Sequence, residues 1–267
     1  DTTFVAGAVA TITLTTPVNG AVADGANSNS VQAVVSDSEG NAVAGATVVF
    51  SSTNATAQIT TVIGTTGADG IATATLTNTV AGTSNVVATV GSITNNIDTT
   101  FVAGAVATIT LTTLVNGAVA DGANSNSVQA VVSDSGGNPV TGATVVFSST
   151  NATAQVTTVI GTTGVDGIAT ATLTNTVAGT SNVVATVGSI TNNIDTTFVA
   201  GAVATITLTT LVNGAVADGA DSNSVQAVVS DSQGNPVPGA TVVFSSANAT
   251  AQITTVIGTT GADGIAT

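Results

Sequence analysis

The string DTTFVAGAVATITLTT occupies residues 1–16, returns at 98–113 and returns again at 195–210. Its 97-residue period holds along the rest of the chain. Residues 1–97 and 98–194 differ at only six positions: Pro17/Leu114, Glu39/Gly136, Ala42/Pro139, Ala44/Thr141, Ile59/Val156 and Ala68/Val165. A solenoid coil repeats after about 20–45 residues, whereas about 100 residues make a complete small domain. Each period therefore reads as an autonomous unit with its own core. The quoted string spans a seam: DTTFVAG closes one unit and AVATITLTT opens the next, with cuts near Gly7, Gly104 and Gly201. This gives the tail of a preceding repeat at 1–7, domains at 8–104 and 105–201, and a third domain, without its last strands, at 202–267.

Apolar residues inside the period alternate with Thr, Ser or Gln, the two-residue rhythm of a half-buried strand. In ATITLT the inward set is Ala10, Ile12 and Leu14; in SVQAVV it is Val31, Ala33 and Val35. ATVVFS turns Ala46, Val48 and Phe50 inward, IATATLT turns Ala72, Ala74 and Leu76, and NVVATV turns Val86, Ala88 and Val90. QITTVI adds a strand around Ile59–Ile63, and a last one is expected near Ile97–Val102. The spacers Asn19-Gly20, Asp24-Gly25, Ser38-Glu39-Gly40-Asn41, Asp69-Gly70 and Ala81-Gly82 are turns, because Gly supplies positive φ and Asp or Asn bonds the backbone two residues on. Seven short strands with turn signals every 8–12 residues or so predict a β-sandwich with almost no helix. The fold class is all-β, with sandwiches in tandem forming an elongated array of about 40 Å per complete unit.

Composition narrows the chemistry. The chain has no Lys, Arg, His, Cys, Met, Trp or Tyr and a net charge of −14. Binding phosphates takes basic side chains, so nucleic acid is excluded as a partner and anionic lipid is disfavoured. The abundance of Val, Ile and Thr argues against a disordered acidic tail, and no run of about 18 apolar residues suggests a membrane helix. No secretory leader pattern is visible. With so many inward Ala, the core depends on close sheet approach. Phe50, Phe147 and Phe244, with Leu14 and Leu76, are its expected large members.

ADGANSNSVQAVVSDSEGNAVAGATVVFS (Ala23–Ser51) and TTGADGIATATLTNTVAGTSNVVATV (Thr65–Val90), with their copies, carry a D-x-x-G-N-x-V-x-G-A-x-V-x-F run followed by G-x-A-x-x-x-L and A-G-T. This pattern resembles the group 1 bacterial immunoglobulin-like domain of intimin/invasin-like outer-membrane adhesins. The resemblance implies an immunoglobulin-like sandwich in a secreted, cell-surface stalk that holds an adhesive tip away from the bacterium. It also implies an outer-membrane anchor and a tip that meets a host or bacterial surface ligand, neither of which appears in this sequence.

Catalysis finds little material. Without His, Cys or Lys the usual activated-nucleophile sets cannot be assembled. Asp24, Gly25, Asp37, Gly40, Asn41, Asp69 and Gly70 are expected as turn residues. Calcium is the cofactor weighed against that reading, since carboxylates beside loop carbonyls suit it. The candidates are Asp37, Asp134 and Asp231 in the D-S-x-G-N loops, and Asp98 and Asp195, expected near the junctions. D-S-E-G-N becomes D-S-G-G-N and D-S-Q-G-N in the later copies, so Glu39 is dispensable, and no cofactor is expected. Threonine rows such as Thr11, Thr13 and Thr15 raise ice binding, against β propensity on a solvated face; Asn54-Ala55-Thr56 is an acceptor pattern by chance.

The sequence thus points to a spacer whose partners are its own neighbouring repeats. The alternatives are repeated weak binding modules of a biofilm or host-cell adhesin, and subunits of an extracellular homopolymer that self-associate through the incomplete last domain. The expected location is the bacterial surface or the extracellular space.

Overall fold

A computed structural model describes residues 5–267; Asp1–Phe4, and with them most of the tail expected at 1–7, lie outside the described residues. The chain resolves into two compact units. One comprises Asp1–Thr108, Val131–Ala143 and Thr163–Gly167; the other comprises Ile109–Ala130, Thr144–Thr162 and Ile168–Thr267.

In the first unit the chain from Thr11 to Phe101 forms seven strands: β1 (Thr11–Val18), β2 (Ser28–Ser36), β3 (Val49–Ser52), β4 (Gln58–Ile63), β5 (Ile71–Thr77), β6 (Gly82–Val90) and β7 (Ile93–Phe101). They make two antiparallel sheets, ordered β1-β2-β5-β4 and β3-β6-β7. Alternation explains the layers. Val31, Ala33 and Val35 of β2 and Ala72, Ala74 and Leu76 of β5 face Val86 and Ala88 of β6 across one core. The register Val31↔Ala74, Ala33↔Ala72 sets small side chains opposite one another, which lets the sheets approach closely where bulk is scarce.

The terminal hairpin is longer than the expected Ile97–Val102 strand. Gly91, at φ 58°, reverses the chain directly after β6, so β7 starts at Ile93 and pairs with β6 over its whole length, Val90↔Ile93 to Gly82↔Phe101. This placement brings Phe101 inside at 1% exposure, against 7% for Phe50. Ala10 does not join the inward set. It precedes β1, is exposed, and donates its N–H to the Ser36 carbonyl at 2.9 Å. Ala46 and Val90 are half-buried.

Gly70 is required by geometry. It sits at φ +70°, and a Cβ there would lie 2.7 Å from the Val35 carbonyl oxygen, closer than any side chain tolerates. One end of the sandwich is polar inside. Asn29 is fully buried; its Oδ1 accepts the Ala21 N–H at 2.9 Å and its Nδ2 donates to the Thr100 carbonyl at 3.0 Å, tying the β1–β2 connection to β7. Asn78 donates to the Ser84 hydroxyl at 3.0 Å. Among the described residues no buried side-chain polar atom lacks a partner, as a low-dielectric interior demands.

The second repeat supplies β8 (Thr108–Val115), β9 (Ser125–Ser133), β10 (Val146–Ser149), β11 (Gln155–Ile160), β12 (Ile168–Thr174), β13 (Gly179–Val187) and β14 (Ile190–Phe198). The same orders recur, β11-β12-β9-β8 and β10-β13-β14, with Phe147 at 7% and Phe198 at 1% exposure. The third repeat contributes β15 (Thr205–Val212), β16 (Ser224–Ser230) and β17 (Ile265–Ala266) in one sheet of that order. The described residues of this repeat correspond to the first repeat up to Thr73, and none of them takes the place beside β15 that β7 takes beside β1. Ile206 is accordingly 58% exposed where Ile12 is 4%, and Phe244 is half-buried against Ala227, Val229 and Val242. Helix is absent among the described residues.

Candidate functional site, a latch at the repeat junctions

The D-S-x-G-N loop follows the second strand of each repeat. In the first unit β9 ends at Ser133, and Asp134 bends the chain. Its Oδ1 accepts the N–H groups of Gly136 at 2.9 Å and Asn138 at 2.8 Å, the backbone-mimicking turn that Asp makes locally. Its Oδ2 accepts the N–H of Gly104, thirty residues upstream, at 2.8 Å, and the Asn138 amide at 3.0 Å. Asp134 thereby fixes the segment that leads into its own domain.

Asn138 reaches the other way. Its Oδ1 accepts the Ala81 N–H at 2.8 Å, and its Nδ2 donates to the carbonyls of Thr79 at 3.2 Å and Ala23 at 3.4 Å. These three partners, one donor and two acceptors, are backbone atoms of the preceding repeat. Two adjacent side chains therefore hold the linker and the previous domain together, entirely within the first unit.

The second unit contains the same device. Asp231 Oδ2 accepts Gly201 N–H at 2.8 Å and its Oδ1 accepts Gln233 and Asn235 N–H at 3.0 and 2.8 Å. Asn235 Oδ1 accepts Ala178 N–H at 2.8 Å and its Nδ2 donates to the Thr176 carbonyl at 3.0 Å. The bridging asparagines are buried, Asn138 at 5% and Asn235 at 6% exposure. In the first loop Asp37 likewise accepts Gly7 N–H at 2.8 Å and the Asn41 amide at 3.0 Å, but Asn41 is exposed.

Burial raises the Asp134 carboxyl pKa, yet the donors on it, Gly104 and Asn138 first, outweigh that effect and hold it below the ordinary value. Asp231 behaves alike, burial being offset by Asn235 and Gly201. At Asp37 the Asn41 amide and the Gly7 N–H do the lowering. A carboxylate that accepts several N–H groups is stabilised in its charged form.

The calcium candidates separate. The Asp37, Asp134 and Asp231 oxygens are taken by N–H donors, which a cation would have to displace. Asp98 and Asp195 lie within β7 and β14, exposed, and accept the cross-strand amides of Asn85 at 2.7 Å and Asn182 at 2.8 Å. No three acidic side chains among the described residues gather around one point. Asp24 Oδ1 accepts the Ala26 and Asn27 N–H groups at 2.8 and 2.7 Å, with Gly25 at φ 75°; these bonds, Asn27 foremost, lower its pKa. Asp69 Oδ1 accepts Ile71 N–H at 3.0 Å ahead of Gly70, and Gly40 takes φ 85°.

The sequence reading placed Asp37 and Asn41 in a turn but missed the bridge that Asn138 and Asn235 make. A signal was present: position 39 varies among the copies while Asp and Asn around it do not. Of the six positions that differ between the first two repeats, four (136, 139, 141 and 165 in the second) line the hollows beside this latch.

A family model for the bacterial Ig-like domain (group 1) matches residues 11–102, 108–199 and 205–267. Two solved structures are similar over most of the chain. FdeC, an adhesin of Escherichia coli, has 23% identity and a TM-score of 0.70, covering 98% of this chain and 89% of its own. InvD of Yersinia pseudotuberculosis has 24% identity and a TM-score of 0.64, covering 84% of this chain and 71% of its own. At these identities the likeness is one of fold. No curated protein matches.

Proposed function

Since the chain belongs to the group 1 bacterial Ig-like domain family, we propose that it is a length of surface-adhesin stalk, a spacer whose repeats set distance and do no chemistry. The observation that carries this reading is the recurrence of one Asp–Asn latch at two successive junctions. A flexible tether needs no buried, fully bonded asparagine between its beads; a strut does. The similarity to FdeC, described as an adhesin, supports a place at the bacterial surface. In such an adhesin the anchor and the ligand-binding tip belong to other parts of the protein. The carboxylates of the loops, bonded to their own backbone, are spent on structure.

Small-angle scattering of the 267-residue chain tests the reading. A strut of about 40 Å per repeat has a radius of gyration near 30 Å, whereas a compact chain of this length has one of about 18 Å. A value near the lower figure at high dilution refutes the spacer role.

A further inference from the structure

Each complete repeat ends one sheet on an undefended edge. In the first unit β4 is the last strand of β1-β2-β5-β4, and it carries no charged residue and no Pro: its sequence is QITTVI. Edge strands are commonly protected against intermolecular pairing by Lys, Pro or inward charge; here the one such device is a register shift between Thr61 and Ile63. That shift turns Val62 outward, at 60% exposure, beside Ile63 at 47%. Val49 of β3 stands next to them at 59% exposure, because Val48 N–H bonds the Gly64 carbonyl at 2.8 Å. The result is an uncharged apolar step along the end strand of the sheet. The second unit has the same step on β11, with Val159 at 60%, Ile160 at 47% and Val146 at 58% exposure.

We propose that these edges are a homotypic interface, through which a second copy of this chain docks side by side, β4 against β4 and β11 against β11. Three features select a second copy as the occupant. A single edge of six residues is too small for a stable interface, so binding needs several edges engaged at once, and multiplied weak contacts gain strongly from linkage. A second copy carries its edges at the same interval as the first, whatever that interval is. The step is uncharged, as is its counterpart, while the acidic groups of the repeat sit on other segments, so the contact escapes the like-charge repulsion that a net charge of −14 imposes elsewhere.

Sedimentation velocity of the full chain across a concentration and salt series is the test. Association is expected to strengthen as salt screens the background repulsion. The triple variant V62E/V159E/V256E, which includes the third repeat's counterpart, is expected to raise the dissociation constant at least about tenfold. T13E/T110E/T207E, with the same added charge on the opposite sheet edge, is expected to stay within about threefold. Calorimetry first establishes that both variants fold. A chain that remains monomeric at high concentration and high salt overturns the proposal. So does association that weakens with salt, or that survives V62E/V159E/V256E unchanged.

Discussion

Replacing Asn138 by Ala isolates what the latch contributes, because Asn41 is its own control. Both asparagines donate to the aspartate of their loop, at 3.0 Å in each case. Asn138 adds the Ala81 bond at 2.8 Å and the Thr79 bond at 3.2 Å, and a third, to Ala23 at 3.4 Å, that is too long to count fully. At a net value of about 1 kcal/mol per bond, Asn41→Ala should cost about 1 kcal/mol and Asn138→Ala about 3 kcal/mol. The excess of about 2 kcal/mol belongs to the junction, and for a domain of about 100 residues it lowers the transition by roughly 8–15 °C beyond the control. Differential scanning calorimetry of the 267-residue chain reads it. If Asn138→Ala melts within about 0.5 kcal/mol of Asn41→Ala, the cross-repeat bonds contribute nothing and the latch is a contact without strength.

Two further outcomes follow from particular residues. Phe101→Ala should cost about 3–5 kcal/mol, at least as much as Phe50→Ala, in thermal or denaturant unfolding; a clearly smaller loss at Phe101 contradicts the hairpin placement. The carboxyl pKa values of Asp37, Asp134 and Asp231 lie below the ordinary 3.8 when folded, so their contribution is complete above that value and is lost as pH falls through the lower, folded one. The melting temperature should therefore hold from pH 7 to about pH 5 and drop below about pH 4, with a shallower acid limb in D37N/D134N/D231N. An equally steep limb in that variant removes the carboxylates from the account.

Strand content was open to reading because apolar alternation in SVQAVV and IATATLT has one physical meaning, a sheet with one face inside. The buried polar end was not, since a polar side chain ends the apolar run at Asn29 and at Ser84. Both keep the inward parity of Val31 and Val86, but the partners that satisfy them, Thr100 and Asn78, come from other segments. Phe101 was hidden for a related reason: its burial depends on a tight reversal at Gly91 that lengthens the last strand by several residues. At the junction, Asp134 announced a turn through the residues just after it, but its bond to Gly104 spans thirty positions. The reach of Asn138 into another repeat leaves one trace, the constancy of Asp and Asn around a position that varies between copies, and that trace does not name the partner.

The socket that receives Asn138 is made of main chain, the N–H of Ala81 and the carbonyls of Thr79 and Ala23, and main chain is the one component every copy shares whatever its side chains become. Any module can thus be coupled behind any other, and a gene that gains or loses whole periods leaves every remaining joint seated. An excision out of step with the period strands an asparagine without its receptor. Reach becomes a quantity this lineage can adjust only in integers.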